Sequence, residues 1–106
     1  MTTTTIEMVT YKLKTDATVK QLQATHEDVN AFCSSQTGFL YRSISRDDNN
    51  TWYDIVYWQN MDHAKAAGEA FMASAVCQTL SKIIDSESLV MRHMLADTEA
   101  MADTAA

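Results

Sequence analysis

Residues 39 to 58 read FLYRSISRDDNNTWYDIVYW, two apolar-rich runs on either side of an Asp/Asn cluster. The runs 39–45 and 51–58 carry the aromatic and β-branched side chains that suit a pleated, half-buried surface. RDDNN between them is turn chemistry, because Asp and Asn side chains bond their own backbone and tolerate positive φ. A β-hairpin follows. Within it, Asp54 is a carboxylate flanked by Trp52 and Trp58, and such a group needs either a chemical use or a partner.

Outward from the hairpin, TIEMVTYKL at 5–13 predicts a strand, with Val9, Tyr11 and Leu13 on one side and Ile6, Met8 and Thr10 on the other. Both sides are partly apolar, so both call for cover. KTDAT supplies Thr15 or Asp16 as an N-cap for a helix over about 17–34, whose buried stripe is Val19, Leu22, Val29 and Phe32. Gly38 ends that segment with a left-handed turn. Asn60 or Asp62 caps a second helix over about 61–84, with a break expected near Ser74. ESLVMRHML, 87–95, is the last strand, and the tail 96–106 has no periodic apolar face and is expected to fray.

The order strand, helix, strand, strand, helix, strand defines an α+β, ferredoxin-like split βαβ fold (βαββαβ), an antiparallel four-stranded sheet with both helices on one face. At 106 residues the chain is expected to be a single domain with its core in about 5–95. The other sheet face would be bare, carrying Trp52, Val56 and Trp58. A homodimer, sheet against sheet in a barrel, is the expected cover for such a patch.

A formal net charge of −6 and a sequence pI near 4.8 argue against a nucleic-acid partner, whose phosphates require Lys and Arg. No stretch reaches the length of a membrane span and MTTTT lacks the features of a secretory leader, so a cytoplasmic protein with no membrane partner is expected. Cys33 and Cys77 form no CxxC pair and read as reduced thiols. No two histidines are four apart and no Gly-rich phosphate loop is present, so neither a metal nor a cofactor is expected.

Strand alternation groups Glu7, Tyr57 and His93 on one face, with Trp58 and His63 nearby. Glu7 and His93 form an acid/base pair or simply satisfy each other's polar groups. On the opposite face, Asp54 has Arg42 and Arg92 as neighbours. It is either an ion-pair member in the dimer interior or a catalytic, ligand-orienting group, with Trp52 and Trp58 lining an aromatic site. His26 is expected to be solvated, and His63 to be a surface or capping residue.

The run GFLYRSISRDDNNTWYDIVYWQNMDHAKAAGEAFMAS followed by IIDSESLVMRHM resembles the dimeric α+β barrel superfamily, specifically small uncharacterised members of the antibiotic biosynthesis monooxygenase-like group. The similarity spans about residues 5–95. The resemblance implies a homodimer with a pocket in each subunit. The activities it implies range over cofactor-free oxygenases of quinol-like aromatics, haem-degrading enzymes and muconolactone-type isomerases, and fold alone selects none of them. In the quinone-forming oxygenases an Asn lies four residues before the strand-ending Trp, a slot that falls on Asp54 before Trp58. The Tyr of their following helix is replaced by His63 or Ala64, and the axial His of the haem-degrading relatives falls at Cys77.

Two functions follow. The first is a cofactor-independent, monooxygenase-like enzyme for a small aromatic or polyketide-like substrate, with Glu7, His93 and Asp54 as catalytic candidates. Trp58, Tyr57, Trp52, Arg42 and Arg92 are its ligand-binding candidates. The second is a non-catalytic homodimer that binds a small apolar or aromatic ligand, or is purely structural.

Overall fold

Four antiparallel strands, β1 (Thr5–Tyr11), β2 (Phe39–Arg46), β3 (Trp52–Trp58) and β4 (Val90–Leu95), form one sheet in the order β2-β3-β1-β4 in the computed structural model, which describes residues 4–102. The expectations for residues 1–3 and 103–106 lie outside that range. Four helices occupy the crossovers: α1 (Val19–Gln23), α2 (His26–Ser34), α3 (Met61–Met72) and α4 (Ala75–Ser81). This is the split βαβ fold.

Register fixes which side chains meet the helices. Thr5 lies opposite Trp58 and Tyr11 opposite Trp52, while Glu7 faces Val56 on one side and His93 on the other. Directly opposed residues share a face. Trp52, Val56 and Trp58 therefore lie with Thr5 and Tyr11 under the helices, 7 %, 6 % and 2 % exposed. The expectation that these three occupy the bare face is overturned. Only the helix side has the depth to take two indoles, and each large apolar side chain buried there contributes roughly 1.5–3 kcal/mol. The open face instead carries Ile6, Met8, Ile55 and Tyr57 at partial exposure, with Tyr41 and Met94 more exposed.

Local chemistry sets the helix ends. The predicted helix over 17–34 divides into α1 and α2 because the buried Thr25 hydroxyl donates to Leu22 O at 2.7 Å. Its N-cap is Thr18 rather than Thr15 or Asp16, since Gln21 three residues on completes a reciprocal capping box. Asn60 caps α3, accepting from His63 N at 2.9 Å. The second helical stretch breaks at Ser74, whose hydroxyl donates to Phe71 O and accepts from Cys77 N. β1 and β4 are shorter than predicted: Leu13 makes an isolated bridge to Ile84, and Ser86–Ser88 is a 3₁₀ turn capped by Asp85.

The hairpin turn closes on one carboxylate. Asp47 accepts from the N–H groups of Asn49 and Thr51 and from the Tyr53 hydroxyl, and Asn50 takes φ +63°. Two apolar clusters fill the space under the helices. One surrounds Tyr11, Leu22, Val29, Trp52 and Leu80; the other joins Val56 and Trp58 to Ala64 and Ala67 of α3.

Candidate functional site

Glu7 sits at the centre of the sheet on the helix side, between β3 and β4. The Trp58 indole N–H donates to its Oε1 at 3.3 Å, and His93 Nε2 lies 3.3 Å from its Oε2. Both distances are slightly beyond the usual N–H···O range. One carboxylate thus faces an indole donor and an imidazole together.

Small residues bring α3 down onto Trp58. Ala64 and Ala67 are buried against the indole, and Phe39 meets it edge-on with ring centroids 5.8 Å apart. Toward β4 the cover ends: Met91 and Leu95, which share the face of His93, are 53 % and 65 % exposed. The Glu7 and His93 side chains, 13 % and 26 % exposed, therefore look toward an apolar margin open to solvent.

Tyr57 does not join them. Register places it on the open face, where its ring contacts Tyr41 at a centroid distance of 6.1 Å. Trp58, one residue on, takes the position beside Glu7. The grouping of Tyr57 with Glu7 and His93 is thus wrong by one residue, which in a strand means the opposite face.

Asp54 belongs to a second constellation on the same helix-side face. Arg42 donates from Nε to Asp54 Oδ1 at 3.0 Å and from Nη2 to Oδ2 at 2.7 Å, and from Nη1 to Asn30 Oδ1 of α2 at 2.7 Å. Burial opposes the charge on Arg42, but the hydrogen bonds and charge of Asp54 outweigh it and raise the guanidinium pKa. Arg92 is not a partner, since it lies opposite Met8 on the open face. Asp54 is accordingly beneath the helices and not in the space outside the sheet.

The surroundings of this pair are also buried. Burial pushes the Cys33 thiol up to about 11, against the opposing pull of Arg42. Burial, with the charge of Asp54, raises the Tyr11 phenol as well. His26 is lowered by burial and by Arg42, and among the described residues its buried Nδ1 has no hydrogen-bond partner. His26 is thus half-buried at the start of α2, its Nδ1 enclosed, where a fully solvated ring was expected.

Trp52 lies apart from both constellations, at the hairpin end of β3, with the Arg46 guanidinium 5.1 Å from its ring centroid. His63 packs its ring beside Gly38. Among the described residues no group of three or more His, Cys, Asp or Glu side chains is arranged to hold a metal ion. No helix in that range is long and apolar enough to cross a membrane. The sequence reading missed two contacts, Trp58 with Glu7 and Asn30 with Arg42. Strand parity, read from Thr5 opposite Trp58, is the signal that yields the first.

No family model matches the chain, and no curated protein matches it. Solved structures do. SnoaB, a cofactor-independent oxygenase from Streptomyces nogalater, shares 14 % identity over 92 % of this chain and 95 % of its own, with a TM-score of 0.66. A protein from Chloroflexus aurantiacus, provisionally named an antibiotic biosynthesis monooxygenase, shares 12 % over 92 % and 97 %, at TM-score 0.64. A dimeric protein of unknown function and ferredoxin-like fold from Bacteroides fragilis shares 15 % over 88 % and 96 %, also at 0.64. The chain has the ferredoxin-like α+β fold, and these solved structures share it.

Proposed function

We propose that the chain is a homodimeric, cofactor-independent oxygenase for a small aromatic substrate, with Glu7, His93 and Trp58 as its working residues. The observation that carries this reading is the single carboxylate of Glu7 set between the Trp58 indole and the His93 imidazole, 3.3 Å from each. A neutral His93 that donates from Nε2 to Glu7 keeps its Nδ1 lone pair as a base. Removing a proton from an anthrone- or quinol-type substrate makes it electron-rich enough to reduce dioxygen. For an anthrone, the methylene becomes a carbonyl: one oxygen atom stays in that product and the other leaves as water with the two hydrogens the carbon loses. The exposed apolar margin at Met91 and Leu95 supplies the contact for the substrate body, and Trp58, buried beneath α3, positions the Glu7 carboxylate from below. The fold shared with a cofactor-independent oxygenase supports the reading.

Oxygen uptake with an anthrone substrate tests it. Glu7→Gln is expected to lower kcat/KM by roughly 10²-fold or more, the usual contribution of a positioned acid/base group, and Trp58→Phe, which removes only a donor to Glu7, by less, with the folded fraction retained in both. Turnover unchanged in both variants would remove the site. A folded parent that takes up no oxygen with any anthrone or quinol would favour the alternative of a ligand-binding dimer.

The second copy is argued from the open face. Ile6, Met8, Ile55, Tyr57, Tyr41 and Met94 form a continuous apolar surface across all four strands. A lone ferredoxin-like unit exposes such a surface at a cost in solubility, and an identical face is self-complementary about a two-fold axis.

A further inference from the structure

The hairpin end of the sheet holds a cleft of about 390 Å³ that the Trp58 site does not use. Lys12, Leu13, Val19, Arg46, Asn50 and Trp52 are among its lining residues. Trp52 and Trp58 are six residues apart on β3, roughly 20 Å at strand spacing. The two sites therefore share no wall.

The chain has fourteen acidic and eight basic residues, yet this cleft is lined by two cations and no carboxylate. Asp47, next to Arg46 in the chain, is already engaged. Asp47 accepts from Asn49 N, Thr51 N and the Tyr53 hydroxyl, which together with Lys12 keep its carboxyl below the usual range. The Arg46 guanidinium lies over the Trp52 ring, 5.1 Å from its centroid, a cation–π arrangement that does not itself use the N–H groups as donors. The rest of the lining at Leu13 and Val19 is apolar.

We propose that this cleft binds a small organic carboxylate, with the carboxylate between Arg46 and Lys12 and the hydrocarbon body against Leu13, Val19 and the indole. The guanidinium fork matches a carboxylate through two parallel hydrogen bonds, and Lys12 adds a point charge. The volume is within the ordinary range for small-molecule sites. The proposal stands independently of the Trp58 reading, since none of its residues touches Glu7 or His93.

Titration of the full chain with benzoate, followed by the indole N–H resonance of Trp52, tests the proposal. Saturable shifts are expected at Trp52 and at the backbone amides of residues 12, 13, 49 and 50. Benzamide, equal in shape and uncharged, is expected to bind roughly tenfold more weakly, the scale of a lost charge-assisted hydrogen bond. Arg46→Gln and Lys12→Gln replace exposed side chains and leave the fold intact, and each is expected to weaken benzoate by a similar factor. Shifts that never saturate, equal binding of benzamide, or benzoate affinity unchanged in the Arg46→Gln, Lys12→Gln double variant would overturn it. Inorganic phosphate competing more strongly than benzoate would overturn the organic body.

Discussion

Arg42 holds both carboxylate oxygens of Asp54, at 3.0 and 2.7 Å, and is itself only 4 % exposed. That bidentate pair explains how a strand as apolar as β3 carries a carboxylate. It also ties both Asp54 oxygens to a buried guanidinium beneath the helices, away from the exposed margin beside β4, which is why the proton chemistry is assigned to Glu7 and His93. Asp54→Asn is expected to lower stability by roughly 1–3 kcal/mol, because the buried guanidinium loses its counter-ion and keeps its charge. The shift in urea midpoint at constant slope measures it. A variant as stable as the parent would show that the pair is replaceable by the neutral amide.

The two glycines make opposite predictions. Gly38 has φ +84°, and a Cβ there would lie 2.5 Å from the His63 ring. Gly38→Ala is expected to cost roughly 1–3 kcal/mol from the backbone conformation alone. The added clash increases that loss, and His63→Ala in the same chain should recover only part of it, because the His63 Cβ itself lies 2.7 Å from the added methyl. Gly68 lies within α3 with nothing within 4 Å of its would-be Cβ, so Gly68→Ala is expected to stabilise by roughly 0.5–1 kcal/mol. Thermal melts of the four chains decide the matter. Equal effects at the two glycines would contradict it.

The elements were readable in the sequence because their signals are local: Asp/Asn turn chemistry at 47–50, a glycine at 38 and an Asn at 60 before an Ala-rich run. Facing was harder. Trp52, Val56 and Trp58 alternate with Tyr53, Ile55 and Tyr57, and two apolar sets in one strand do not say which meets the helices. Only pairing with β1 decides it, through Thr5 and Tyr11. The choice then moves Tyr57 and Arg92 away from the site and brings Trp58 to Glu7. The Thr18 cap was hidden for a related reason, since KTDAT offers three side chains able to cap and Gln21 selects one by returning a bond to the backbone.

His26 gives a pH dependence of known sign. Burial, aided by Arg42 and opposed by Asp54, lowers its folded pKa below the ordinary value of 6.5. The unfolded chain therefore binds more protons at this residue as pH falls, so the stability it contributes is present above about 6.5 and is lost on descent toward the folded value. His26→Gln, which cannot titrate, is expected to flatten the slope of unfolding free energy against pH just below 6.5. Denaturant titrations across that range compare the two chains. Parallel slopes would mean that His26 titrates alike folded and unfolded.

The proposed dimer makes the most direct claim about the open face. Tyr57 and Tyr41 pack edge-on there, 6.1 Å between centroids, and Ile55 and Met8 lie opposite one another beside them. A charge at Tyr57 would be placed among Tyr41, Ile6 and Met94, the apolar side chains of that face. Tyr57→Glu is therefore expected to shift the chain from dimer to monomer in sedimentation velocity at micromolar concentration, since an uncompensated buried charge costs several kcal/mol and each 1.4 kcal/mol is tenfold in affinity. Because Tyr57 faces away from α2 and α3, the Arg42–Asp54 pair and the Trp58 indole should keep their native spectra in the monomer. A parent that sediments as a monomer would refute the dimer outright, and a variant that remains a dimer would move the interface to another surface.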